Sequence, residues 1–175
     1  MVSKLFVFLG ICFLAFAVYL VWERNNPQRL SFNTLTGTEK QSAHTAAIPI
    51  RLSIPSQHID LPIFPTTITK TVWGDTKQGV SYLTSSPIPG TIGNSIIYGH
   101  NWPNLLGPLT KVKPGEKITV RFADGQKVIF TVKFTSIVTP DQTHVLEKTD
   151  DARLTLYTCT GFFDSKRFVV TAIKD

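Results

Sequence analysis

The residue best suited to chemistry in this chain is Cys159, the only cysteine outside an apolar N-terminal segment that holds Cys12. A thiol with no reachable partner cannot belong to a disulfide framework. At the end of a strand it is either a small buried hydrophobe or a nucleophile. Cys159 closes the run Leu154-Thr155-Leu156-Tyr157-Thr158-Cys159. Strand alternation puts Thr155, Tyr157 and Cys159 on one face and Leu154, Leu156 and Thr158 on the other. A seven-residue connection, Thr160 to Lys166, leads to Arg167. If Cys159 and Arg167 flank it as a cross-strand pair, their side chains emerge together. A guanidinium beside a thiol suits an oxyanion or a substrate carbonyl, because it stays charged and offers several donors. Read blandly, Arg167 is a solvated residue at a strand start. A thiol nucleophile also needs a proton partner, and histidine is the usual one. His100 follows the apolar run Ser95-Ile96-Ile97-Tyr98 at Gly99, where the backbone can turn the ring toward a cleft. It is equally readable as a loop histidine bonded to backbone. His44, His58 and His144 lie in polar or connecting stretches.

Metal chemistry fits poorly, since one accessible cysteine and four scattered histidines show no ligand spacing. Asp141, Glu147, Asp150 and Asp151 share a loop region without an EF-hand register, so solvated charge is expected there. No metal or cofactor is assigned, and calcium dependence is left open. The net charge of +6 is spread out and contains no dense basic run, so nucleic acid is not an expected partner.

Those residues must be positioned by a small domain. Leu5 to Trp22 is uncharged, just long enough to span a bilayer, with Tyr19 and Trp22 placed for an interfacial belt. Ala15-Phe16-Ala17 resembles a signal-peptide cleavage site, but the apolar run continues five residues past it. Residues 1–24 therefore read as an uncleaved membrane anchor, N-terminus inside and catalytic domain outside. Residues 25–47 are polar, without apolar periodicity, and read as a linker. Residues 48–175 read as one domain with its own core.

The domain reads as β throughout. Ile48, Ile50, Leu52 and Ile54 alternate with Pro49, Arg51 and Ser53, and a short strand follows around Ile59–Ile63. Val72 to Thr84 reads as irregular. Asp124-Gly125 between two alternating segments predicts a hairpin of Lys117–Phe122 with Lys127–Phe134. Helical turns are expected within Leu105–Val112 and near Val145–Leu146, and Arg153–Cys159 and Arg167–Ile173 are the last two strands. About eight short strands with Gly/Pro turns imply a closed, mainly antiparallel β-barrel.

Three segments resemble the sortases, membrane-anchored cysteine transpeptidases of mainly Gram-positive bacteria. Thr155-Leu156-Tyr157-Thr158-Cys159 looks like the signature strand, Lys166-Arg167-Phe168-Val169-Val170 like the arginine strand, and Tyr98-Gly99-His100-Asn101 like the histidine segment. The order and the N-terminal anchor agree, and the resemblance spans roughly Ile48 to Lys174. It implies an eight-stranded barrel with short helices. Cys159 would be the nucleophile, His100 the general acid/base and Arg167 the oxyanion or substrate clamp. Thr158 would either offer a hydroxyl to substrate or simply pack. The implied reaction cleaves a Leu-Pro-x-Thr-Gly-like sorting signal of a surface protein between Thr and Gly. A thioacyl enzyme then passes the acyl group to an amine on a peptidoglycan precursor or a pilin. The short loop before Arg167 looks like the compact class D or E enzymes. No lid motif is evident before Ile48, which argues against a pilin-polymerising class. The competing readings are another cysteine acyl-transferase or hydrolase of the cell envelope and a non-catalytic surface domain. The Ser-His-Gly-Cys segment of L,D-transpeptidases is absent.

Overall fold

The computed structural model describes residues 2–24, 26–33, 48–69 and 72–175. The rest of the expected linker, residues 34–47 with His44, lies outside the described residues. An apolar helix, α1 (Val2–Arg24), comes first. The strands are β1 (Pro49–Ile54), β2 (Ile59–Thr66), β3 (Ile68–Thr69), β4 (Val72–Trp73), β5 (Val80–Leu83) and β6 (Gly93–Gly99), followed by β7 (Lys117–Phe122), β8 (Lys127–Val138), β9 (Ala152–Thr160) and β10 (Lys166–Lys174). Eight of them close into a barrel in the order β1-β2-β5-β6-β9-β10-β8-β7, while β3 and β4 form a separate two-stranded ribbon. Short 3-10 turns at Gly107–Lys111 and Thr143–Leu146 stand where helical turns were expected.

The barrel is antiparallel except at two seams, where β2 pairs with β5 and β6 with β9 in parallel. Parallel neighbours cannot be joined by a tight turn, so each seam requires a crossover. β5 falls inside the stretch read as irregular. All four of its residues are buried, so its sequence shows no alternation. It enters at Gly79, where a Cβ would stand 2.2 Å from the Pro62 carbonyl oxygen of β2, so only glycine fits. In β1, a register shift between Pro49 and Arg51 turns Ile50 outward, while Leu52 and Ile54 keep the inward face.

Two cores result. The barrel interior is filled by aliphatic and aromatic side chains such as Leu52, Ile97, Ile118, Phe130, Leu154, Leu156 and Val170. A second cluster lies on the other side of the β5-β6-β9-β10 wall, with Trp73, Leu83, Ile96, Tyr98, Tyr157, Cys159 and Val169. The alternation read in β9 separates them, sending Leu154 and Leu156 inward and Tyr157 and Cys159 outward. Leu30 and Phe32 cap the second cluster. Asn26–Asn33, read from sequence as linker, is therefore a strap packed on the barrel wall. It is pinned by the Tyr157 hydroxyl donating to the Leu30 carbonyl at 2.9 Å, and by edge-on contact of Phe32 with Tyr157.

Candidate active site

Three adjacent strand ends meet beneath the strap. β9 and β10 pair with Cys159 directly opposite Arg167, the cross-strand pair expected from the connection length. β6 and β9 run parallel with Gly99 beside Thr158, so His100 and Cys159 follow one residue further along. The Thr158 hydroxyl is buried and donates to the Gly99 carbonyl at 2.8 Å. Of the two readings of Thr158, this bond supports packing: it ties the histidine-bearing strand to the cysteine-bearing one.

His100, Cys159 and Arg29 line one cleft of about 320 Å³, together with Trp102, Phe163 and Asp164 among others. His100 is only 4% exposed, and its ring stacks on Trp102, centroids 4.5 Å apart and planes nearly parallel. Gly107 closes the Trp102 loop, its amide bonded to the Trp102 carbonyl at 2.9 Å, and a Cβ there would stand 2.7 Å from that oxygen. The Nε2 of His100 lies 2.7 Å from Asp75 Oδ2, in the segment after β4. An ionised carboxylate only accepts, so Nε2–H donates to Asp75 and Nδ1 is the nitrogen left for proton transfer. Sequence reasoning missed Asp75, since Gly74-Asp75 reads as a turn and nothing local ties it to a histidine 25 positions later.

Arg167 is 3% exposed. Its Nη1 donates to the carbonyls of Asp164 (2.9 Å) and Lys166 (3.0 Å), and its Nη2 to Ser31 of the strap (2.9 Å). Its Nε–H is buried without a partner among the described residues. Phe163 and Asp164 both adopt left-handed backbone, φ 50° and 56°, which costs non-glycine residues energy and persists where surrounding contacts demand it. Here the turn aims the Asp164 carbonyl at Arg167 and its carboxylate at Arg29, Oδ2 to Nη1 2.5 Å.

The thiol of Cys159 is 3% exposed and donates to the Arg29 carbonyl at 2.8 Å. Burial pushes its pKa from 9.0 up to about 12, against the lowering influence of Arg167. In this arrangement Cys159 is a neutral, covered thiol. Among the described residues, no three His, Cys, Asp or Glu side chains gather as a metal site.

Barrel and site together describe a closed β-barrel with thiol, imidazole and guanidinium on three neighbouring strand ends. The sortase-domain family model matches residues 52–175, and the chain belongs to the sortase family. It is 31% identical over 124 residues to a protein named Sortase A of Bacillus anthracis, covering 69% of this chain and 56% of that protein. It is 31% identical over 122 residues to Sortase A of Listeria monocytogenes, covering 67% and 52%. The chain thus matches little more than half the length of these relatives. Its fold superposes on the crystal structure of Listeria monocytogenes sortase A with a TM-score of 0.59 and 27% identity, over 74% of this chain and 88% of that one. Sortase C-1 from Actinomyces oris shares the fold over 90% of this chain and 98% of its own, with a TM-score of 0.65 and 24% identity.

Proposed function

We propose that this protein is a cysteine transpeptidase that cleaves a Leu-Pro-x-Thr-Gly-like sorting signal between Thr and Gly and transfers the acyl part to a cell-wall or pilin amine. The observation that carries the reading is the register: β6-β9 aligns Gly99 with Thr158, and β9-β10 aligns Cys159 with Arg167. Cys159 gives its thiol proton to His100 as Sγ attacks the threonine carbonyl, forming an S–C bond, and negative charge gathers on the carbonyl oxygen. The guanidinium of Arg167 faces that charge, its unpartnered Nε–H offering a donor. The C–N bond breaks as His100 protonates the leaving glycine amine. The incoming amine then gives its proton to His100 and forms a new C–N bond, and the S–C bond breaks to restore Cys159. Asp75 holds the imidazole in the tautomer that keeps Nδ1 for these transfers.

The strap must shift before any of this. Arg29 occupies the thiol's hydrogen bond and Ser31 one face of Arg167. With its pKa pushed up to about 12 by burial, Cys159 stays a neutral thiol at neutral pH in this arrangement. An arriving peptide that displaces Arg29 brings its own carbonyl toward the same two side chains. The strap also removes the argument against a pilin-joining class that rested on the lack of a lid. We place the protein in the cell membrane through α1, whose segment Lys4–Glu23 is long and apolar enough to cross a bilayer, with the barrel outside.

The test is the full chain in detergent or nanodiscs with Leu-Pro-x-Thr-Gly and Leu-Ala-x-Thr-Gly peptides and a glycine-type amine, products followed by mass spectrometry. Peptide joined to the amine is expected, and none with Cys159→Ala. Product formation by Cys159→Ala, or no thioacyl adduct with any peptide, sinks the reading. Hydrolysis alone leaves cleavage standing and removes transfer.

A further inference from the structure

We propose that the rim of the cleft formed by Phe162, Phe163 and the last turn of α1 is seated in the interfacial zone of a phospholipid bilayer, so that the cysteine cleft opens at the membrane surface. The proposal rests on reading α1 as an anchor.

Chain reach is the first argument. Cys159 is bonded to the Arg29 carbonyl, and Arg29 is six residues beyond Glu23, the end of the apolar span. Six extended residues cover at most about 20 Å. The actual separation is shorter, because the Glu23 carboxylate lies 3.5 Å from Arg29 Nε and Leu20 itself lines the cleft with Cys159. The headgroup layer on each side of the hydrocarbon core is about 5–8 Å deep, so a bilayer around α1 brings lipid to the cleft.

The outer surface of α1 agrees. Its large apolar side chains are open, with Phe6, Phe13 and Leu14 each at least two-thirds exposed, and among its described side chains only Leu20 and Glu23 are half-buried. The helix leaves the domain with its apolar surface unused except where it reaches the site.

The third argument is the rim. Phe162 is 83% exposed and Phe163 53%, stacked edge to face 4.4 Å apart on the turn that carries the left-handed Phe163 and Asp164. The contacts of Asp164 fix this turn, so the aromatics are held outward rather than folded onto the protein. Two exposed phenylalanines beside an apolar helix whose own Tyr19 and Trp22 touch (centroids 6.3 Å) continue an aromatic belt, and the exposed Lys166 beyond them suits headgroup phosphates. Ile92, 74% exposed, precedes β6 at the opposite end of the barrel and has no such surroundings.

The test is nitroxide accessibility in the full chain, reconstituted into vesicles of phosphatidylcholine and phosphatidylglycerol. Labels go at Phe162→Cys and at Ile92→Cys, each with Cys12→Ala and Cys159→Ala, and at native Cys12 with Cys159→Ala. Both engineered positions are mostly exposed, so the fold tolerates the label. The ratio of collisions with oxygen to collisions with a water-soluble nickel chelate should be highest at Cys12. At 162 it should lie between, several-fold above 92. A ratio at 162 equal to that at 92, with Cys12 reading as lipid, overturns the rim placement and leaves the anchor intact. A water-like Cys12 overturns the anchor and the rim placement together.

Discussion

The two cores on either side of one sheet wall are built differently. The barrel interior is mainly aliphatic and closes on itself, so every strand supplies its own share. The outer cluster is aromatic with polar handles: Tyr98 bonds Gly74 and Thr66, Tyr157 bonds Leu30, and the roof is a strap from another part of the chain. Hydrophobic burial without direction suffices for a scaffold. Under the proposed function the thiol needs burial that is reversible, and hydrogen-bonded aromatics beneath a strap from another part of the chain suit that need. Cys159 belongs to the second kind of core, hidden beneath the strap yet lining the cleft.

Substitutions on the two sides should separate these roles. Phe32→Ala removes the aromatic that anchors the strap, a loss of about 3–5 kcal/mol for a fully buried phenylalanine. Alkylation of Cys159 should accelerate at least about tenfold, since each 1.4 kcal/mol of cover lost is worth about that factor, while circular dichroism shows an intact barrel. Leu156→Ala is the counterpart on the inner face. It should cost about 2–5 kcal/mol in chemical denaturation and leave the alkylation rate of the folded protein nearly unchanged. If Leu156→Ala exposes the thiol as Phe32→Ala does, the two cores are not separable.

Asp75→Asn takes a carboxylate from the far nitrogen of His100. A charge-assisted hydrogen bond is worth about 1.5–3 kcal/mol, so turnover should fall about 10- to 150-fold, mainly in kcat, with an altered pH profile. Unchanged turnover would reduce Asp75 to a structural contact. The last effect is confined to alkaline pH. The folded values of Cys159 and Tyr98 are raised, from 9.0 and 10.0 to about 12, chiefly by burial. The folded state therefore holds these protons more tightly than the unfolded one. Their contribution to stability is complete below the ordinary values and is lost as pH rises to about 12. Thermal unfolding should be insensitive to these groups below pH 9 and decline above it, less steeply in Cys159→Ala.

Legibility followed sequence distance. The β7-β8 hairpin, β9 and β10 were readable because alternation and an Asp-Gly turn are local signals, and Cys159 opposite Arg167 followed from one short connection. β5 was hidden because burial on both faces erases alternation. The last residues of β8 were hidden because exposed Ile137 beside half-buried Ser136 breaks the pattern. His100 beside Cys159 depends on a parallel seam that no local pattern announces. The strap was masked by its polar neighbours; Leu30 and Phe32, spaced by two on one face, were its only trace.

The seam between β6 and β9 also sets when the thiol gains its neighbours. Thr158 meets Gly99 across 59 residues, and Cys159 meets Arg29 across 130. Contacts this distant form late, after local hairpins have closed, because long loops must be ordered first. During folding the thiol is therefore an ordinary cysteine, not yet beside His100. The contacts that bring His100 beside it are assembled together with those that cover it, so pairing and covering are one event.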